Sequence, residues 1–197
     1  MPAGRATAGI DFTAVSLLDV EPEPAEPLPV VGEQPAAPEE GVLVDGIWCS
    51  RRHFNDPRAA YCSVCGISMV HQTHNLVKGP RPPLGVLVLD DGSTFGVDAD
   101  YVLGREPIGD PAVASGAVLP LVVDDPGRSV SRVHARLSLH EWDVRIADAG
   151  SANGTYVARP GADQWDRLAP DEPRTLEPGS RIRLGQRELA FDSHHRA

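Results

Sequence analysis

Lysine is almost missing from this chain: of its 18 basic residues only Lys78 is a lysine, and the others are arginines. Cysteine is scarce as well. Three cysteines in 197 residues are an odd number and too few for a disulfide scaffold. No apolar run approaches the roughly 20 residues that a membrane-spanning helix needs. The first ten residues, MPAGRATAGI, lack the continuous apolar core of a secretory leader. A cytoplasmic location and no membrane partner are therefore expected. Positive charge is in deficit, with a formal net charge of −10, which argues against a general nucleic-acid coat. The arginine bias, with much alanine, glycine and proline, is that of a high-GC bacterial genome.

The charge is unevenly placed. Residues 1–46 carry a net −8, residues 47–83 a net +4 and residues 84–197 a net −6. Within the first segment, EPEPAEPLPVVGEQPAAPEE holds six prolines and six glutamates in twenty residues. Proline removes backbone donors and like charges repel, so residues 1–46 are expected to be a disordered acidic tail. Ahead of that stretch lies a short apolar island with Ile10, Phe12, Val15, Leu17 and Leu18. It reads either as a docking peptide or as a stretch without function.

All three cysteines fall in the basic segment, 47–78, as Cys49, Cys62 and Cys65, with His53 between them. The spacing is C-x3-H-x8-C-x2-C. A C-x2-C turn aims two thiolates at one ion, and Gly66 directly after it suits a φ above zero. So short a segment buries little apolar surface, so bound Zn²⁺ would supply its folding free energy, roughly 10–16 kcal/mol in zinc peptides. Four protein ligands leave no open position for water, which makes the expected zinc structural. His71 and His74 are alternatives to His53 as fourth ligand. Trp48, Phe54 and Tyr61 are expected to cover the metal. The pattern resembles a zinc ribbon or treble-clef knuckle, although its first pair is Cys and His three residues apart. A redox dithiol at Cys62 and Cys65 is the rival, but that motif wants a strand before it and a helix after it. Lys78–Pro83, KGPRPP, reads as a linker.

From Leu84 onward short apolar or alternating runs recur between turn signals. They are Leu84–Leu89, Thr94–Val97, Tyr101–Leu103, Leu119–Val123, Val133–Leu139, Trp142–Ile146, Thr155–Ala158, Arg181–Leu184 and Glu188–Phe191. Helical periodicity is absent. The expected fold class is mainly β, an antiparallel sandwich or barrel from Leu84 onward.

Three loop motifs punctuate these strands: Gly104-Arg105, Ser129-Val-Ser131-Arg132-Val-His134, and Ser151-Ala-Asn153-Gly154-Thr155. In this order, YVLGR … SVSRVHA … DAGSANGTYV resembles the forkhead-associated (FHA) domain, over about residues 84–192. The resemblance implies an eleven-stranded sandwich that binds phosphothreonine peptides with loops at one end. It implies that Arg105 meets the phosphate and peptide backbone, that Ser131 donates its hydroxyl and amide to phosphate, and that Arg132 adds charge. Asn153 would hold the peptide main chain, His134 would brace the Ser131 loop, and Gly104 and Gly154 would supply tight backbone sites. A small pocket near Ser151 or Ala152 would take the threonine methyl group. The chemistry is suitable, since a phosphate carries about −1.5 to −2 charge and three strong acceptors.

Glu106, Asp124, Asp125 and Asp148 lie in or near these loops and are candidates to compete with phosphate for the arginines. A Ser131–His134–Asp148 triad fails if residues 131–134 are extended, because positions three apart then point to opposite faces. Nor is there a G-x-S-x-G elbow. The expectation is a non-enzymatic signalling adaptor whose partners are threonine-phosphorylated proteins or their kinases. Phosphorylated Thr13, or Thr7, in the tail would be an intramolecular ligand. The alternative is a scaffold that binds without phosphate and whose zinc module binds protein or nucleic acid.

Overall fold

The computed structural model describes residues 41–70 and 75–195. The apolar island, the proline-rich acidic stretch, Thr7, Thr13, His71 and His74 lie outside the described residues. Strands follow the period-2 alternation of apolar and polar residues. The first three are β1 (Leu43–Trp48), β2 (Phe54–Asn55) and β3 (Val77–Pro80). They form a small antiparallel sheet of order β2-β1-β3. Then come β4 (Val86–Leu89), β5 (Thr94–Gly96), β6 (Tyr101–Gly104), β7 (Leu119–Val122), β8 (Ala135–His140) and β9 (Asp143–Asp148). The last five are β10 (Thr155–Ala158), β11 (Asp166–Arg167), β12 (Arg174–Thr175), β13 (Arg181–Leu184) and β14 (Arg187–Asp192).

These eleven strands make two sheets, β11-β10-β13-β14-β4-β5 and β12-β9-β8-β6-β7. Leu87, Leu103, Ala135, Ile146, Ile182 and Leu184 are fully buried between them. Burying each large aliphatic side chain contributes about 1.5–3 kcal/mol, and the alternation sends its neighbours to solvent. The sandwich is not wholly antiparallel, because β6 and β7 run parallel. A crossover makes this feasible: the connection holds a 3-10 turn, Pro107–Gly109, and a one-turn helix, Pro111–Ala114. Asp110 caps that helix through the Ala112 amide, and its buried carboxylate pairs with Arg136 at 2.7 Å. Among the described residues no helix is long and apolar enough to cross a membrane.

Two sequence boundaries move. Residues 43–46, assigned to the tail by their charge and position, lie in β1. Asp45 stands opposite Lys78 across the strands, their charged groups 3.1 Å apart. Val44, next to it, is 1% exposed and belongs to the sandwich core. Lys78–Pro80, read as linker, form part of β3. Composition marks polarity, whereas strand pairing decides the boundary.

The small sheet and the sandwich form one compact unit. The Trp142 indole N–H donates to the Asp45 carbonyl at 2.7 Å. The Phe54 ring packs over Gly46, where any Cβ would collide with it, and sits 5.5 Å from Trp142 and 5.2 Å from Trp48. Arg58 bridges Asp56 and Asp143 at 2.7 and 2.9 Å. Phe54 thus faces the sandwich instead of covering a metal, and Tyr61 is largely exposed. The cysteines pack instead with Ile47, Ile67 and Met69.

Candidate functional site

The loops after β6, before β8 and before β10 meet at one end of the sandwich. They border an open groove of about 1030 Å³ lined by Arg105, Ser131, Arg132 and Asn153 among others. The backbone sets this meeting. The amides of Arg105 and Glu106 donate to the carbonyls of Ser131 and Arg132, both at 3.1 Å. A Cβ on Gly104 would collide with the Arg132 carbonyl, so only glycine lets the two loops approach. Gly154 has φ +78, and a Cβ there would lie 2.7 Å from the Arg167 Nε.

His134 is fully buried beneath the Ser131 loop. Its Nδ1 accepts from the Ser131 amide at 2.9 Å and its Nε2 lies 3.2 Å from the Gly154 carbonyl. That pair of partners requires a neutral ring with its proton on Nε2. Burial holds its pKa below the ordinary histidine value, against the pull of the Gly154 carbonyl. Residues 131–134 are bent, not extended. The triad therefore fails for a different reason: both ring nitrogens are committed to backbone, and the Asp148 carboxylate is turned elsewhere. Because the Ser131 amide is given to His134, the expected pair of donors from Ser131 reduces to its hydroxyl. That oxygen lines the groove and accepts from the Ala152 amide at 3.0 Å, which leaves its proton available for donation.

The loop carboxylates divide. Burial alone would raise Asp125 and Asp148. For Asp125, the Val130 amide and Ser129 hydroxyl outweigh burial; for Asp148, the Ser151 and Thr155 hydroxyls do so. Both stay below the ordinary carboxylate value. They build the loops and do not compete for arginine. Glu106 does compete: its carboxylate is 2.6 Å from the Arg105 guanidinium. Asn153 donates to the Ser129 carbonyl at 2.7 Å, which fixes its side chain at the rim. Ala152 lines the groove, whereas the Ser151 hydroxyl is bound to Asp148 at 2.6 Å. Sequence reading missed Arg128, a third arginine on the groove, in a turn with φ 55. The run DDPGR signals that turn but not its neighbours.

The second constellation is Cys49, His53, Cys62 and Cys65, whose donor atoms all lie within 4.8 Å of one another. His53 Nδ1 is 3.6 Å from both the Cys49 and Cys62 sulfurs, and the Cys49 and Cys65 sulfurs are 3.9 Å apart. A tetrahedron with Zn–S near 2.3 Å and Zn–N near 2.05 Å has edges of about 3.8 and 3.6 Å. The donor set fits such an ion. Burial pushes the Cys62 thiol up, but the amides of Cys65 and Val64 and the neighbouring sulfurs outweigh it and pull the value to about 6. The Ile67 amide draws Cys65 down, yet desolvation and the sulfurs beside it leave that thiol above its usual value. The sulfurs are close enough to oppose one another's ionisation, and a dication held among them would favour the thiolate form of each. Asn55, two residues after His53, is fully buried between the two halves of the cluster. Its Nδ2 donates to the His53 carbonyl at 2.7 Å, and its Oδ1 accepts from the Ser63 amide at 2.9 Å.

The comparisons with known proteins concern the sandwich. Residues 101–185 match the family model described as FHA domain. Over 63 residues the chain is 35% identical to an oxoglutarate dehydrogenase inhibitor of Corynebacterium efficiens, an alignment covering 32% of this chain and 38% of that protein. The chain thus matches well under half the length of that relative. A solved structure described as an analysis of phosphothreonine-dependent FHA domain interactions is 28% identical, over 55% of this chain and 95% of that one, with a TM-score of 0.40. EmbR of Mycobacterium tuberculosis, solved with a low-affinity phosphopeptide, is 26% identical over 55% of this chain and 24% of its own, with a TM-score of 0.41. The residues matched by the FHA domain model include the strands and loops that frame the groove, with Arg105, Ser131, Arg132 and Asn153 among them.

Proposed function

We propose that this chain is a phosphothreonine-peptide-binding adaptor acting on the substrates of a Ser/Thr protein kinase, or on the phosphorylated kinase itself. The observation that carries the reading is the convergence of Arg105, Ser131, Arg132 and Asn153 on one groove. Arg105 and Arg132 supply charge to the phosphate, the Ser131 hydroxyl donates to it, and the Asn153 carboxamide holds the peptide main chain. A rigid frame of backbone bonds and the buried His134 fixes their positions, so little ordering is lost on binding. The likeness to a protein named as an inhibitor of another protein supports a role exercised through binding. Cys49, His53, Cys62 and Cys65 hold a structural Zn²⁺ beside the sandwich, where it supplies folding free energy and no chemistry.

The test is a degenerate peptide library in phosphothreonine, phosphoserine and unmodified forms, measured against wild type and Arg105→Ala. Phosphothreonine peptides should bind best. The variant should lose about 100-fold, as expected when charge-assisted bonds to a phosphate are removed, while its circular dichroism stays unchanged. Equal binding of the unmodified library would overturn the reading.

A further inference from the structure

Beyond the groove, the outer face of the six-stranded sheet carries a row of arginines on aromatic rings. Tyr156 of β10 stands opposite Arg167 of β11 on one side and Arg183 of β13 on the other. The Arg183 guanidinium lies 4.7 Å from the Tyr156 ring centre and 4.8 Å from that of Trp165, and Arg181 lies 5.1 Å from Trp165. Trp165 thus stands under two guanidinium groups. Among the described residues neither Arg167 nor Arg183 forms an ion pair, in a chain of net charge −10. Nearby carboxylates are few: Asp166 is bound to Arg174 at 3.5 Å, Glu188 stands opposite Arg183, and Asp163 sits in the loop. The row begins beside the groove, because the Arg167 guanidinium occupies the space that a side chain at Gly154, the residue after Asn153, would need.

We propose that an acidic stretch of the bound phosphoprotein, continuing from its phosphothreonine past Asn153, lies across Arg167, Arg183 and Arg181. The inference rests on the phosphothreonine reading of the groove and names the ligand class more closely. The spacing suits an extended peptide. Arg167 and Arg183 flank one strand and so stand about 10 Å apart, the reach of about three extended residues. Rings that already carry guanidinium groups have less face to offer a stacked base, which favours carboxylates over single-stranded nucleic acid.

The experiment uses the full chain and fluorescence anisotropy at low and physiological salt. The probes are phosphothreonine peptides carrying four glutamates, or four glutamines, that start four residues from the phosphothreonine on either side. With one of the two placements the acidic peptide should bind about tenfold tighter than its glutamine twin, and more so at low salt. Arg167→Gln with Arg183→Gln should erase that advantage and leave the affinity of the glutamine peptide unchanged, which also shows that the variant is folded. Equal binding of the twins, or an advantage that survives in the variant, overturns the proposal while the groove reading stands. Failure of the glutamine phosphopeptide to bind wild type would sink the groove reading, and this one with it. Displacement of only the glutamate contribution by a single-stranded RNA 12-mer would assign the face to nucleic acid and overturn the proposal.

Discussion

The module that carries Cys49, His53, Cys62 and Cys65 packs on the sandwich through Phe54, Arg58 and the Asp45–Trp142 bond, yet the two regions are organised differently. Between its sheets the sandwich buries a long series of aliphatic side chains, among them Leu87, Leu103, Ile146, Ile182 and Leu184, and no single one of them decides the fold. The module has Ile47 and Met69 fully packed beside two cysteines. Its organisation centres on four donor atoms and on Asn55, which ties their two halves together. A distributed core loses stability by degrees, whereas a module organised by one ion loses it at a single step. The two are nevertheless joined, because Val44 of the module's own strand is buried in the sandwich core.

The largest effect is expected from disrupting the proposed zinc site at Cys49, His53, Cys62 and Cys65. Cys62→Ser, or a strong chelator, should abolish the order of residues 47–70, read as loss of their dispersed amide resonances. Because Val44 and the bond from Trp142 to Asp45 are then weakened, the sandwich should also lose about 3 kcal/mol. That corresponds to a fall in Tm on the order of 15 °C. An unchanged sandwich Tm would show that the two regions are independent, and the shared core at Val44 would then carry no weight.

A smaller effect isolates the joint itself. Phe54→Ala keeps all four metal ligands but empties the space between Gly46, Trp48 and Trp142, at a cost of about 2–3 kcal/mol. The module should still bind one Zn²⁺ per chain, and the single melting transition should split into two. If one transition persists, the link runs through β1 and Arg58 instead of the ring.

Much of this contrast was legible in the sequence because it is written in short-range patterns. The C-x3-H-x8-C-x2-C spacing points to the four donor residues that the fold brings together, since turn geometry over so few residues leaves few alternatives. From Leu84 onward the apolar and alternating runs marked nine strands to within about two residues, as in Thr155–Ala158 and Arg181–Leu184, but not the two-residue strands β11 and β12 nor the three strands of the small sheet. What stayed hidden depends on contacts distant in sequence. Asp45 looked like part of an acidic tail until Lys78 was found across the strand from it, and nothing local tells that Phe54 turns toward Trp142. The parallel pairing of β6 and β7 is likewise set by a crossover that no local pattern reports. In the groove the motif order assembled the residues but not their partners. That His134 takes the Ser131 amide, and that Arg128 joins the groove, follow from loop conformations that a sequence pattern does not specify.

The smallest effect is at the groove rim, where one contact alters one affinity without touching either fold. Glu106 holds Arg105 at 2.6 Å, with the carboxylate side chain 60% exposed and the guanidinium 31% exposed. An exposed pair of this kind contributes about 0.2–1 kcal/mol, and a phosphate that recruits Arg105 must break it and then approach a like charge. Glu106→Gln removes both obstacles and should raise phosphothreonine-peptide affinity by about two- to fivefold at low salt, fading as salt screens the carboxylate. Tm should move little, because neither group is buried. Isothermal titration at two salt concentrations reads the effect. A fall in affinity instead would mean that Glu106 aims the guanidinium at the phosphate, and the rim would then resemble the module, where one carefully placed partner decides the outcome.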